Sequence, residues 1–228
     1  MARSRRRLTT CTHHAKLKAQ TVPTGRSELS EKLLFLRSFV AHPRRIGAVL
    51  PTSRRAVECM LGMADLDRAD LVVELGAGTG SHTRAILSRL GPQARLVAFE
   101  IDPVLAANVR DRLPDRRLEV VAASAEDLEQ HLDGGRPEVV VSALPFTSLP
   151  ADVGSAILDR AARVLAPDGV LLVLQYSPLI TPRLSRRFRW LRRKVCLRNV
   201  PPAFLYACRE PRAPGTGTAE PDSANGPA

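Results

Sequence analysis

Residues 71–80 read LVVELGAGTG, and this stretch decides the fold of the chain. Its first residues are apolar without helical periodicity, which is typical of a short strand buried on both faces. Gly76, Gly78 and Gly80 then lead into SHTRAILSRL, a segment with helical spacing. Glycine permits positive φ and a close approach of the backbone to a ligand, and free N–H groups at a helix start favour a carboxylate or phosphate. The stretch therefore predicts a strand, a tight ligand-binding turn and a helix.

The spacing of the glycines indicates which ligand is bound. A dinucleotide fingerprint would place its third glycine at position 81, which is Ser81, whereas G-x-G-x-G preceded by an acid such as Glu74 is the pattern for S-adenosylmethionine. A second predicted strand, residues 95–100, ends in Glu100, where a carboxylate can accept hydrogen bonds from both ribose hydroxyls. An ordinary strand-to-helix turn followed by a surface acid is the alternative, and the presence of both parts favours the cofactor.

The positive charge of the chain is concentrated in two segments. The chain has 228 residues, a size typical of one domain, and a formal net charge of +11. Residues 1–20 carry six basic side chains and residues 183–198 carry eight, and neither segment contains an acid. The remainder has twenty basic and 23 acidic residues and is therefore mildly acidic. Two local basic patches predict a partner with an anionic surface, either phospholipid or nucleic acid.

Several classes of protein are disfavoured by composition. The four cysteines have no paired spacing, which is typical of reduced thiols in the cytoplasm. Cys11, His13 and His14 lack a second pair of ligands, so no metal site is predicted. No run approaches the roughly 18 apolar residues of a membrane span, and the Arg-rich N-terminus has no apolar core of a signal peptide. We expect a cytoplasmic protein, with peripheral attachment to the inner membrane surface as an extension of that hypothesis.

The chain divides into four parts. Residues 1–26 are basic with few large apolar side chains and predict a disordered arm. Residues 27–63 predict a helical lid or membrane-contact segment, in which the stretch 27–45 either packs on the core or lies on an anionic membrane. Residues 64–210 form the predicted cofactor-binding domain. Residues 211–228, rich in Gly, Pro and Ala, predict an unstructured tail.

Strands and helices alternate through the predicted domain. Ser53 is the expected cap of a helix that ends near Met63. The last two strands are separated only by Pro201-Pro202, too short a connection for a parallel crossover, so they are expected to be antiparallel. The sequence thus predicts an α/β fold with a mostly parallel seven-stranded sheet and an antiparallel last strand, as in class I methyltransferases. After Glu100 the predicted elements are helix 103–113, strand 118–122, helix 125–132, strand 137–143, helix 152–165, strand 170–175 and strands 194–200 and 203–208.

Five stretches together resemble the bacterial phospholipid N-methyltransferases, the soluble type that makes phosphatidylcholine from phosphatidylethanolamine. They are FLRSFVAHPRRIGAVLPTSR, VVELGAGTGSHT, LVAFEIDP, VVSALPF and NVPPAFLY, and they span about residues 33–208. The resemblance implies a Rossmann-like fold, S-adenosylmethionine as cofactor and an aminophospholipid as acceptor. It implies an acceptor site at Pro145, Phe146 and Tyr176, and cofactor contacts at Glu74, Gly76, Ala77, Gly78, Gly80, Glu100, Ile101, Ser124, Ala125 and Ala143.

A sister group, the rRNA adenine dimethyltransferases, shares the glycine motif but has Asn-Leu-Pro-Phe or Asn-Leu-Pro-Tyr where this chain has Ala-Leu-Pro-Phe at 143–146. In that group the Asn holds the adenine amino group, so Ala143 disfavours methylation of a base. A second departure concerns the cofactor. The acid that contacts its adenine in both families falls on Ser124, and Glu126 or Asp127 in the next turn is the alternative contact.

The methyl acceptor stays open at this point. Segment 183–198 interleaves Phe188, Trp190 and Leu191 with arginines, which suits a lipid headgroup layer, an RNA backbone with stacked bases, or a solvated helix face. Tyr176 follows the fifth strand and either lines the acceptor pocket or packs its ring. The leading hypothesis is an N-methyltransferase of aminophospholipids. The alternatives are methylation of another amine, in rRNA, a peptide or a metabolite, and a non-catalytic module that binds nucleic acid or membrane.

Overall fold

The computed structural model describes residues 52–213, which contain one seven-stranded sheet. The predicted arm 1–26, most of the predicted lid segment 27–63 and nearly all of the predicted tail 211–228 lie outside the described residues. The strands are β1 Leu71–Leu75, β2 Arg95–Phe99, β3 Leu118–Val121, β4 Val139–Ser142, β5 Val170–Gln175, β6 Phe188–Cys196 and β7 Ala203–Pro211.

The strand order is β3-β2-β1-β4-β5-β7-β6. The first five strands pair in parallel, and β7 pairs antiparallel with both β5 and β6. The predicted mostly parallel sheet with an antiparallel last strand is confirmed. The central strands consist of Val and Leu because helices cover both faces, and every residue of β4 and β5 is buried.

Two helical layers cover the sheet, one on each face. One face packs against α1 Arg54–Leu61, α2 Ser81–Leu87 and α3 Pro103–Arg112, and the other against α4 Ala151–Val164 and α5 Thr181–Ser185. Short 3₁₀ helices occupy Leu66–Arg68, Ala125–His131 and Pro178–Ile180. Among residues 52–213, no helix has the length and apolar content that a bilayer span requires.

Side chains fix the starts of two helices, and the sequence predicts the first of them. The Ser53 hydroxyl accepts a hydrogen bond from the backbone N–H of Ala56 at 3.2 Å, which confirms it as the cap of α1. Asp102 caps α3 by accepting from Val104 at 2.8 Å, and Pro103 occupies the first turn, where its missing N–H costs nothing.

The helix predicted at 125–132 is present as a 3₁₀ helix, Ala125–His131. A 3₁₀ helix has three residues per turn, so side chains three positions apart share one face. Ala125 and Leu128 are buried against the sheet, and the ring of His131 packs edge-on against Phe99 with centroids 5.6 Å apart. This spacing of three brings all the inward side chains to the core.

The predicted strand at 194–200 is misplaced, because β6 begins at Phe188 and ends at Cys196. The strand lies at the edge of the sheet, and most of its side chains are exposed on both faces, so its sequence lacks the alternation that marks a half-buried strand. Residues 197–202 form the turn into β7, which extends beyond its predicted end to Pro211.

The strand directions bring six loops to one edge of the sheet. The carboxyl ends of the five strands β1 to β5 lie at this edge, since these strands are parallel. Gln175 at the end of β5 pairs with Phe204 at the start of β7, and Cys196 pairs with Ala203. The turn from β6 to β7 therefore joins the loops that follow the parallel strands, at the edge where open α/β sheets bind ligands. We call it the carboxyl edge.

Candidate active site

The glycine-rich loop after β1 has the backbone that the sequence predicts. Gly76, Gly78 and Gly80 have φ of 84°, 55° and 81°, in the left-handed region that favours glycine. The backbone N–H groups of Gly76 and Ala77 both donate to the carbonyl of Phe99 at 2.9 Å. These bonds bend the loop towards the end of β2.

Two of these glycines have opposite surroundings. A Cβ on Gly76 would lie 2.7 Å from the Cδ2 atom of Leu144, so this position permits the loops after β1 and β4 to touch. A Cβ on Gly78 would meet no heavy atom within 4 Å. Gly78 therefore borders open space at the carboxyl edge, where a ligand has room to approach its backbone.

This difference predicts different losses of stability for two alanine substitutions. Gly78→Ala is expected to cost about 1 kcal/mol of stability, because of the left-handed φ, and to lower cofactor affinity at least tenfold by placing a methyl group in the open space. Gly76→Ala is expected to cost more stability, because it adds the clash with Leu144 to the same backbone strain. Thermal unfolding and titration calorimetry with S-adenosylhomocysteine measure both. Unchanged affinity in folded Gly78→Ala would remove the loop from the site.

Glu100 joins the end of β2 to the glycine loop. The residue is buried, its Oε2 accepts from the Gly78 N–H at 2.7 Å, and its Oε1 accepts from the Asp102 N–H at 2.9 Å. Burial raises the pKa of Glu100, and the bonds from these two N–H groups oppose that rise. The next residue, Ile101, is half-buried. A carboxylate held beside the glycine backbone is suited to accept from vicinal hydroxyl groups.

Glu74 is a buried carboxyl group without a hydrogen-bond partner. The residue lies on a central strand, where it pairs with Ala98 on β2 and Val141 on β4. It is 2% exposed. Within residues 52–213 neither carboxyl oxygen has a partner, and the buried Thr83 hydroxyl nearby has none either. Burial raises the pKa of Glu74 to about 8, the nearby Thr83 hydroxyl and N–H oppose this rise, and the Glu100 carboxylate adds to it. A buried group that lacks a partner calls for an explanation, and a cationic ligand is one.

The loop after β4 is the predicted acceptor region. Gln175, buried at the end of β5, donates to the Leu144 carbonyl at 2.7 Å and so fixes the path of this loop. Ala143 and Pro145 are half-buried at the carboxyl edge. Phe146, predicted to line the acceptor pocket, is 1% exposed and packs in the core beneath α4. A ring buried to this extent faces the apolar core and does not line open space at the carboxyl edge.

Ser124 has a local role in the structure. Its hydroxyl accepts from the Glu126 N–H at 3.2 Å and also lies 3.3 Å from the Glu126 carboxylate, so it begins the 3₁₀ helix. Ser124 and Ala125 are both buried beyond the end of β3. The arrangement keeps Glu126 at the position where the sequence placed it as the alternative adenine contact.

A set of polar contacts that the sequence did not reveal surrounds Tyr176. Its hydroxyl lies 2.7 Å from Thr52 Oγ1. The neighbouring Ser53 donates its N–H to Asn199 Oδ1 at 2.8 Å, and the Asn199 amide donates to the Pro201 carbonyl at 2.7 Å. Asn199 thus ties the chain before α1 to the β6–β7 turn. The signal in the sequence is the stretch NVPPAFLY, which begins with Asn199.

These residues fit S-adenosylmethionine. The cofactor carries an ammonium and a carboxylate on its methionine end and two hydroxyls on its ribose. Glu74 would face the ammonium, the backbone at Gly78 would lie against the methionine end, and Glu100 would accept from the ribose hydroxyls. The buried, partnerless carboxyl group of Glu74 is the observation that carries the fit, because a cation nearby would remove its desolvation cost.

Comparisons with known proteins agree with this geometry. The family described as methyltransferase domain matches residues 72–169. The ornithine lipid N-methyltransferase of Singulisphaera acidiphila is 33% identical over 189 residues, which cover 79% of this chain and 97% of that protein. The ribosomal RNA small subunit methyltransferase A of Kineococcus radiotolerans is 38% identical over 109 residues, which cover 45% of this chain and 35% of that protein.

Solved structures share the fold. The N-methyltransferase NodS from Bradyrhizobium japonicum, in complex with S-adenosyl-L-homocysteine, superposes with a TM-score of 0.60 at 15% identity and covers 79% of this chain and 98% of its own. The 16S rRNA N2 G1207 methyltransferase of T. thermophilus has a TM-score of 0.56 at 25% identity and covers 72% of this chain and 44% of its own. The chain belongs to the class I S-adenosylmethionine-dependent methyltransferases, the family that includes the ornithine lipid N-methyltransferase of S. acidiphila.

Proposed function

We propose that this methyltransferase methylates the amine of a membrane lipid headgroup. Ala143 carries the proposal, because its methyl group stands at the carboxyl edge where the rRNA dimethyltransferases have the Asn that holds an adenine amino group. The similarity to the ornithine lipid N-methyltransferase, which runs along nearly all of that protein, supports a lipid acceptor. The headgroup is either phosphatidylethanolamine, as the resemblance implies, or ornithine lipid.

When bound, the cofactor supplies a methyl group activated on a sulfonium. The chain's own contribution is to place an amine in line with that methyl group and to exclude water, since proximity supplies much of the acceleration in such displacements. Only a neutral amine has a free lone pair, so the headgroup ammonium must first lose its proton. The half-buried stretch Ala143–Pro145 lowers the cost of the neutral form, because an apolar environment disfavours the charged amine.

Tyr176 is not suited to remove that proton. Burial raises the pKa of its phenol above the ordinary value of 10, so the hydroxyl stays protonated near neutral pH. Its oxygen also lies 2.7 Å from Thr52 Oγ1. We therefore propose that Tyr176 holds the chain before α1 at the carboxyl edge and that the amine proton passes to solvent.

RNA is the second candidate acceptor, favoured by the exposed arginines of β6 and by the partial similarity to an rRNA methyltransferase. One assay separates the two candidates. The full-length protein is incubated with methyl-labelled S-adenosylmethionine and, separately, with vesicles containing phosphatidylethanolamine, vesicles containing ornithine lipid, and total rRNA. We expect label in a lipid and none in rRNA, with folded Gly78→Ala as a control that transfers less label when the cofactor is limiting. Label in rRNA alone would refute the lipid proposal.

A further inference from the structure

Exposed apolar side chains are concentrated at one corner of the carboxyl edge. Six large apolar residues are exposed among residues 52–213, and four of them lie in the short 3₁₀ helix that follows β5 or around the β6–β7 turn. Leu197 is 75% exposed, Leu179 73% and Val200 68%. Val195, at the end of β6, is the fourth. We call these four residues the apolar corner.

The apolar corner is held by the fold. Between the exposed Leu197 and Val200 lies Asn199, which is 2% exposed. Its backbone N–H donates to the Cys196 carbonyl at 3.3 Å, and its side chain joins Ser53 to Pro201. Apolar side chains that an anchored turn holds exposed to solvent are typical of a contact surface.

Basic side chains flank the apolar corner on β6 and its turn. Arg192, Arg193, Lys194 and Arg198 are exposed, and none of them is in an ion pair within the part of the chain that the structure describes.

The two basic residues nearest α4 have a different role. Arg187 pairs with Asp159 at 2.6 Å, and Arg183 donates to the Phe146 carbonyl at 3.0 Å. A Cβ on Gly154 would lie 2.7 Å from the Arg183 guanidinium, so α4 has a glycine where this side chain crosses it. The predicted basic patch 183–198 therefore separates into internal arginines near α4 and free cations around the apolar corner.

We propose that the apolar corner and these four basic residues form a docking surface for an anionic lipid bilayer. Aliphatic side chains enter the headgroup layer while the cations contact lipid phosphates, a combination that binds interfaces through apolar burial and charge together. The surface rests on the proposed function, since it turns the carboxyl edge, with Tyr176 and the loop after β4, towards the lipid headgroups. RNA fits the surface less well, because Leu and Val offer no ring for base stacking. The exposed Trp190 does have a ring, but the Arg209 guanidinium carbon lies over one face of it, 6.0 Å from the ring centroid, where a base would stack.

Flotation of the full-length protein with vesicles tests the docking surface. The vesicles are phosphatidylcholine with and without phosphatidylglycerol, and binding needs neither cofactor nor acceptor. We expect Leu197→Ser with Val200→Ser to lower partitioning roughly tenfold or more. We expect Arg192→Gln with Arg193→Gln to lower it about fivefold for each arginine, on anionic vesicles only. The matched controls are Val104→Ser, an exposed valine on α3, and Arg84→Gln with Arg112→Gln, which remove two cations from α2 and α3; both should bind as the parent does.

Several results would overturn the docking surface. Unchanged flotation of both variants would do so. A fall in their melting temperature without loss of vesicle binding would do so as well, because it would mean that another part of the chain covers the apolar corner. Loss of RNA binding rather than vesicle binding would assign the surface to nucleic acid.

A second measurement keeps this proposal separate from the proposed function. Methylation of short-chain phosphatidylethanolamine, dispersed as monomers, should be unchanged in the variants. If the parent methylates no lipid but its flotation depends on the corner, the proposed function fails and the docking surface stands. If dispersed lipid is methylated and flotation is insensitive to the corner, the docking surface alone fails.

Discussion

Glu74→Gln is expected to stabilise the protein at pH 8 and to abolish measurable binding of S-adenosylhomocysteine. The carboxyl group is buried without a partner, and its pKa of about 8 compares with an ordinary value of 4.5. That difference corresponds to at most about 4–5 kcal/mol of ionisation cost. The amide has the same shape and no charge to desolvate, so we expect a gain of about 2–4 kcal/mol and a melting temperature higher by about 5–10 °C.

The gain should depend on pH in a defined direction. Below pH 4.5 Glu74 is protonated in both the folded and the unfolded chain, so the carboxyl group contributes no pH dependence. Between pH 4.5 and about 8 the unfolded chain loses this proton while the folded chain keeps it, so the parent loses stability as pH rises. Above about pH 8 both states are ionised and the loss stops. Glu74→Gln removes this slope, and thermal unfolding at pH 5 and pH 8 measures the difference.

The affinity change has a separate cause. An amide cannot balance the ammonium of the cofactor in a buried site, and removal of one partner from a buried ion pair costs about 3–5 kcal/mol, or on the order of a hundredfold or more in affinity. The control is Glu58→Gln, an exposed carboxylate on α1 that should change neither property. A destabilised Glu74→Gln that still binds the thioether would show that Glu74 supports the fold and does not face the cofactor.

Glu100→Ala should weaken S-adenosylhomocysteine binding on the order of a hundredfold. Two hydrogen bonds from hydroxyl groups to a carboxylate are worth about 1.5–3 kcal/mol each, and the alanine variant makes neither. It also leaves the N–H groups of Gly78 and Asp102 without their acceptor, so stability should fall by about 1–3 kcal/mol. Titration calorimetry well below the melting temperature separates the two effects.

Two further variants sharpen the Glu100 test. Glu100→Gln retains an acceptor oxygen for the loop and should lose less stability and less affinity than the alanine variant. Glu119→Gln removes an exposed carboxylate on the neighbouring strand β3, which pairs with Arg95, and should leave binding intact. If Glu100→Ala bound the cofactor as tightly as Glu119→Gln, the ribose contact would have to be sought elsewhere.

The sequence alone determined the strand, the glycine turn and the two acids at Glu74 and Glu100. These features are local. A buried strand, a residue that needs positive φ and an acid at a strand end can each be recognised from a few consecutive residues of the sequence. The same holds for the cap at Ser53, which accepts from an N–H group only three residues away. The order of such elements was enough to predict the parallel sheet and its antiparallel strand.

Only the tertiary structure decided which contacts each side chain makes, so that residues of the same type have different roles. Arg187 pairs with Asp159 on α4 while Arg192 is free, although both belong to one basic run, because Arg187 lies in the turn after α5 and Arg192 lies on the edge strand β6. Phe146 was expected in the acceptor pocket and lies in the core. Thr52 contacts Tyr176, and the adjacent Ser53 contacts Asn199, although the members of each pair are distant in sequence. Contacts of this kind depend on how distant loops pack, and no local pattern of residues records them.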